Sequence, residues 1–128
     1  MNDFSKALSI SSSGLQAQAT RLRHLSENIS NADTPGYRRK VVPFDMQMTN
    51  GLTRVEVGRM SLDDRPLEQV YDPSHPMADD TGNYNGSNVD LLIELADARE
   101  AQRSYEANLK IFEQSRQMST GLMQLLRR

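Results

Sequence analysis

Cysteine and tryptophan are both absent from this chain, and aromatic residues of any kind make up 5% of it. Without cysteine there can be no disulfide and no thiolate metal centre. The shortage of aromatics, with a mean hydropathy of −0.66, leaves little material for a thick globular core. A chain of 128 residues with that composition fits one slim helical body, or something that orders on assembly. No apolar run approaches the roughly 20 residues that a bilayer span needs. The opening Met1-Asn2-Asp3-Phe4-Ser5-Lys6-Ala7-Leu8 lacks the basic start and apolar stretch of a secretory signal, and composition alone therefore favours a cytoplasmic protein. A net charge of −2 gives no reason to expect a polyanion or an anionic membrane as partner. The glycines are scattered, so no phosphate-cradling loop is present.

What the chain does have is a hydrophobic seam at each end. In the first arm Leu8, Leu15, Leu22 and Ile29 recur every seventh residue, and Phe4 and Leu25 fall on the neighbouring position with Ser11 and Gln18. In the last arm Leu91, Ala98, Tyr105, Phe112 and Leu126 form one line, and Leu95, Leu109 and Met123 a second, interrupted by Gln102, Arg116 and Ser119. A heptad stripe keeps facing a partner only if the helices supercoil. The expected fold is therefore mainly α, with long terminal helices packed as a coiled coil around a central extended or β-hairpin insert, fully ordered only in an assembly. The predicted segments are an N-terminal helix over 1–32, a turn, hairpin and strap over 33–87, and a C-terminal helix over 88–128.

Asn2 or Asp3 can cap the first helix. Its interior is weak where Ser9, Ser11, Ser12, Ser13 and Gly14 cluster, glycine alone costing about 1 kcal/mol against alanine. Pro35 drives Thr34 out of the helical region, and Pro35-Gly36 suits the centre of a type II turn. Asn31 and Asp33 are placed to bond backbone groups freed at that stop. Between Val41 and Val57, an Asn50-Gly51 type I′ turn sets Thr49 against Leu52, Met46 against Val55 and Phe44 against Val57. Such a hairpin has one apolar face and needs a helix or a neighbouring subunit to cover it. Pro66, Pro73 and Pro76 then predict an extended strap. Ser87 and Asp90 have the spacing of a capping box for the second helix. Glu100 with Arg103, Glu106 with Lys110 and Glu113 with Arg116 are favourable pairs along it, and Arg127 and Arg128 suit its negative end.

Candidates for chemistry are few. His24 and His75 sit in unlike settings with no ligand or base spacing, and His24 reads as a solvated or packing residue. Asp79, Thr81, Asn83 and Asp90 fall at calcium-loop intervals, but Tyr84 stands where such a loop needs glycine and Asp90 where it needs a bidentate Glu. Arg38-Arg39-Lys40 after Tyr37 reads as a solvated basic turn, since no recognition-helix signature accompanies it. Asp63, Asp64, Asp79 and Asp80 could serve a wall-cleaving enzyme only if a cleft placed an acid against a base. No catalytic residue, cofactor or metal is assigned. A helical-hairpin adaptor or export chaperone in the cytoplasm is the alternative to an assembling subunit.

Asn28-Ile29-Ser30-Asn31-Ala32-Asp33-Thr34-Pro35-Gly36-Tyr37 resembles the Asn-Ile-Ala-Asn-Ala-Asp-Thr-Pro-Gly-Tyr signature that ends the first helix in bacterial flagellar rod, hook and related axial proteins. Tyr71-Asp72-Pro73-Ser74-His75-Pro76-Met77-Ala78-Asp79, Asn88-Val89-Asp90 and Arg103-Ser104-Tyr105-Glu106-Ala107-Asn108 resemble segments of a proximal-rod member of that family. Glu106 replaces the usual Gln, Ser30 the usual Ala, and residues 83–87 depart from the common loop. The resemblance implies a structural, torque-transmitting subunit of the periplasmic rod, without enzymatic activity. It implies export without a cleaved signal peptide through the flagellar type III apparatus. Its implied partners are further copies of itself, the rod proteins FlgB, FlgF and FlgG and the adaptor FliE, with no nucleic acid and no membrane span. The assembly contacts are then expected on Leu8, Leu15, Leu22, Leu25, Ile29, Leu91, Leu95, Tyr105, Leu109, Phe112, Met123 and Leu126.

Overall fold

A computed structural model describes residues 3–127. Two helices, α1 (Asp3–Ser30) and α2 (Leu91–Leu126), enclose six short strands in sequence: β1 (Lys40–Val41), β2 (Phe44–Thr49), β3 (Leu52–Val57), β4 (Ser61–Leu62), β5 (Gln69–Tyr71) and β6 (Asn83–Asn85). The fold is mainly α with a β-rich insert. The suggested Asn2 cap and Arg128 lie outside the described residues.

The helices run antiparallel. Asn28 meets Glu94, Arg21 lies 3.6 Å from Glu100, and Gly14 packs on Asn108. On α2 the most deeply buried line is Glu94, Ala101 and Ser115, with half-buried Asn108 between them; on α1 it is Ser11, Gly14, Ala17, Leu25 and Asn28. The contact therefore runs along small and polar residues, beside the leucine lines rather than on them. A β-carbon on Gly14 would stand 3.0 Å from the Asn108 amide, so glycine is what permits this approach. The serines that weaken α1 as an isolated helix are the ones that let it pack closely: Ser11 folds its hydroxyl back onto the Ala7 carbonyl (2.8 Å) and is buried.

The turn chemistry is as the sequence dictates. The Tyr37 amide bonds the Thr34 carbonyl across Pro35-Gly36, with Gly36 at φ 75°, the positive value that a type II turn requires. Asn50 and Gly51 take φ 54° and 76°, a type I′ turn, and β2 pairs with β3 in the predicted register. This hairpin does not lay its apolar face on α1. It meets the helix along the free edge of β3, where the Val55 amide donates to Ser13 Oγ and Arg54 donates to Ser9 Oγ. A helix thus blunts one strand edge, while Phe44, Met46 and Met48 remain exposed.

The stretch from 58 to 87 departs from the extended strap. It holds β4, which pairs antiparallel with β1 before the hairpin, and the antiparallel pair β5 and β6. Pro73 and Pro76 act as turn formers, Pro66 lying in irregular chain: Pro73 follows Asp72, whose carbonyl accepts from the His75 amide, Pro76 follows His75, whose carbonyl accepts from the Ala78 amide, and His75 stacks on Tyr84 at 3.9 Å. Asp90, not Ser87, caps α2, accepting from the Leu92 and Ile93 amides. Ser87 instead ties to the Ala32 carbonyl. None of the three expected pairs along α2 forms among the described residues; Glu100 turns to Arg21 of α1.

Candidate functional site

At the end where α1 stops and α2 begins, polar groups from four segments converge on Asn28 and Glu94, both without solvent exposure. Asn28 Oδ1 accepts from the Tyr37 hydroxyl (2.8 Å) and the Lys40 amide (2.8 Å), while its Nδ2 donates to the Lys40 carbonyl (3.0 Å) and lies 3.5 Å from Glu94 Oε2. Arg39 bridges onward: its Nε donates to Glu94 Oε1 and its Nη1 to Asp63 Oδ2 at 3.2 Å. Asn88 closes the ring, accepting from the Arg39 amide (2.7 Å) and donating to the Asp63 carbonyl (3.0 Å). Burying such groups costs several kcal/mol unless they are paired, and here each has partners.

Arg65 holds the Asp63 carboxyl at a pKa of about 2, through its side chain and backbone N–H, with Arg39 adding to the effect. Burial opposes the charge on Arg39, but hydrogen bonds to Glu94 and Asp63 outweigh it and raise its pKa. Outside this ring Lys40 Nζ pairs with Glu27 at 2.6 Å, which lowers the Glu27 pKa and raises that of Lys40. Open clefts border the ring, one at Arg65, Asn88 and Asp90 and another at His24, Arg39 and Lys40, while the charged groups of the ring itself are taken up in pairing with one another. The ring is a latch that fixes the end of α1, the Arg38–Lys40 segment, the Asp63 turn and the start of α2 in one arrangement.

The turn motif therefore does more than stop a helix. Asn28 is the hub and Tyr37 one of its donors. Asn31 binds the Glu27 carbonyl and accepts from Thr34, and the Ala32 carbonyl receives Ser87. Gly36 donates to the carbonyls of Asn85 and Gly86, and Asp33 is exposed. The solvated-turn reading of Arg38-Arg39-Lys40 is corrected: Arg38 binds the Asp63 and Arg65 carbonyls, and its two neighbours carry the ion pairs above. Glu94 and Asp63 were invisible as partners because they lie 66 and 35 positions from Asn28. The one available signal was a Glu placed among the leucines that open α2.

Of the other polar candidates, Asp79 spends Oδ1 on Thr81 and the Asn83 amide, which lowers its pKa, and Asp90 is the helix cap. Asp64 and Asp80 are exposed. His24 is largely buried, 3.6 Å from Glu27 and beside Arg39, Lys40, Val41 and Val42, and His75 accepts from the Met77 amide.

The leucine lines flank the helix contact. Leu25 is buried; Leu8, Leu15, Leu22, Ile29, Tyr105, Leu109 and Phe112 are half-buried; Leu91, Leu95, Met123 and Leu126 are exposed. In an antiparallel pair, residues one position after each contact residue on α1 (8, 15, 22, 29) and on α2 (95, 109, 123) project to the same side. Tyr105 and Phe112 lie between that line and the contact. Both seams thus share one open side of the helix pair, and the hairpin occupies the other.

Comparison with known proteins bears on both features. Residues 1–38 match the family described as flagella basal body rod protein, and residues 80–125 match flagellar basal body rod FlgEFG protein C-terminal. The chain is similar to the flagellar basal-body rod protein FlgC of Agrobacterium fabrum, 44% identical across 99% of this chain and 98% of the relative. It is 34% identical to the FlgC of Salmonella typhimurium, across 80% and 82% of the two chains. The same identity holds for the FlgC of Aquifex aeolicus, across 88% and 89%.

Proposed function

The chain belongs to the FlgC family of flagellar basal-body rod proteins, and from that premise we propose how its geometry serves the rod. It is a structural subunit of the basal body. Its two helices pack into the wall of the rod in coiled-coil fashion through the open side that carries Leu8, Leu15, Leu22, Ile29, Leu95, Tyr105, Leu109, Phe112 and Met123, and the latch keeps them in register under torque. Leu91 and Leu126 extend that side at its two ends, and Leu25 closes the helix contact beneath it.

The observation that carries this reading is exposed area. A compact monomer of 14.5 kDa exposes about 6,900 Å², whereas this chain exposes 9065 Å². Among the described residues its buried apolar side chains are Ala17, Leu25, Leu52 and Ala101. Marginal cohesion of that kind suits a chain that is exported unfolded, through the type III apparatus and without a cleaved signal, and gains order as neighbours cover its sides in the periplasm. FliE, FlgB, FlgF and FlgG are the neighbours this reading expects beside other copies of the chain. A folded cytoplasmic adaptor would have less reason to leave both sides uncovered.

Leu22→Asp puts a charge in the middle of the open side. The expected result is loss of rod incorporation and swimming with the chain still detectable as exported; normal swimming refutes the assignment of that side to assembly.

A further inference from the structure

The β2 half of the hairpin's apolar face is left bare by the chain's own helices, while Val55 and Val57 on the β3 half border α1 at Ser13, Gln16, Ala17 and Thr20. Met46 and Met48 are 77% and 76% exposed, Phe44 stands beside them, and Val55 and Val57 are half-buried on the same face by register. A two-stranded sheet with one bare apolar face is marginal in water, and two adjacent methionines make a surface that adapts to its partner.

We infer that this face is covered by the leucine side of a second copy of the chain, so that the hairpin of one subunit lies across α1 and α2 of the next. The inference rests on the rod reading above and names the occupant of that same side.

Two observations select a second copy. The first is position. The hairpin is fastened to α1 at Ser9 and Ser13, while Leu8, Leu15 and Leu22 lie at the same height on the other side of the helix pair. Two copies set side by side and pointing the same way bring hairpin and leucine side together without an axial shift.

The second is area. A specific contact removes about 1,200–2,000 Å² counted over both partners. A head-to-tail array takes one face of each kind from every copy, which is comparable with the excess of about 2,200 Å² over a compact monomer. A two-fold dimer through either face would take only half as much. Because the two faces differ, the association is heterologous and yields a ring or helix of parallel subunits, as a tube wall requires.

The absence of cysteine makes the test clean, since introduced thiols are the only ones in the chain and a disulfide forms only across about 4.4–6.8 Å between α-carbons. Met46→Cys and Leu109→Cys are co-expressed as separate chains in motile cells, and isolated basal bodies are oxidised. Leu15→Cys serves as a second leucine-side variant, and Lys110→Cys, on the outer face of α2, as control. The expected products are a covalent dimer from Met46→Cys with Leu109→Cys or Leu15→Cys, a ladder of multimers from chains carrying both changes, and no dimer with Lys110→Cys.

Basal bodies that contain both variant chains but yield no mixed dimer overturn the inference and leave the rod reading standing. Equal dimerisation by Met46→Cys alone also overturns it, in favour of a two-fold contact. Absence of the unaltered chain from basal bodies would remove the rod reading and the inference together.

Discussion

Replacing Asn28 by Asp changes one NH2 for one oxygen at the centre of the latch, and the structure sets the size of the effect. The donated bond to the Lys40 carbonyl is lost, which costs about 1–3 kcal/mol when a buried acceptor is left bare. The new oxygen stands where Nδ2 was, 3.5 Å from Glu94 Oε2, with both parent residues unexposed. Two carboxylates that close do not both ionise, so the introduced carboxyl takes up a proton. Keeping it protonated at pH 7 costs at most about 4 kcal/mol relative to a free Asp. The protonated form donates to the Lys40 carbonyl much as Asn28 does, which removes most of the first cost.

The expected loss at neutral pH is therefore about 3–4 kcal/mol, or roughly 12–16 °C in midpoint at about 4 °C per kcal/mol. Because the introduced carboxyl has its pKa raised on folding, its penalty grows as pH rises and shrinks toward pH 5. Asn28→Ala loses all of these bonds, those from the Tyr37 hydroxyl and the Lys40 amide included, without that pH dependence. Far-UV circular dichroism melts in trimethylamine N-oxide, which strengthens burial in a marginal fold, would read both. A midpoint within 2 °C of the parent at pH 7, or a gap between parent and Asn28→Asp that is flat from pH 5 to 7, refutes the latch.

Two further tests follow from the same geometry. Asp63 has its pKa lowered to about 2 by its arginine partners, so the stability it contributes is complete above the unfolded value near 4 and fades as pH falls from there to 2; Asp63→Asn should be less stable at pH 6 and show a flatter acid limb in the same melts. Gly14→Ala places a methyl 3.0 Å from the Asn108 amide, which offsets the gain of about 1 kcal/mol in helix propensity. It should be neutral or slightly destabilising alone and stabilising in an Asn108→Ala background. A gain of a full 1 kcal/mol from Gly14→Ala by itself would show that the helices do not approach there.

Local rules carried the sequence reading a long way. The end of α1 is written by Thr34-Pro35-Gly36, and the hairpin register by Asn50-Gly51, because each depends on backbone geometry within four residues. The heptad lines correctly marked two helices, since periodicity is a property of one element at a time. The same logic did not reach the paired strands within 58–87, whose partners β1 and β6 lie 12 or more positions from β4 and β5.

By itself the sequence determined that this chain is two amphipathic helices around an insert, with too few aromatic and large apolar residues to close a core, because periodicity and composition act locally and additively. Only the tertiary structure decided which line each helix turns inward. Close approach selected the small residues Ser11, Gly14, Ala17 and Ala101 for the interior beside Leu25, and the other seam leucines were displaced to one flank. It also decided that Asn28, Arg39, Asp63, Asn88 and Glu94 form one network, because hydrogen-bond partners are chosen by distance in space, which sequence separation does not encode.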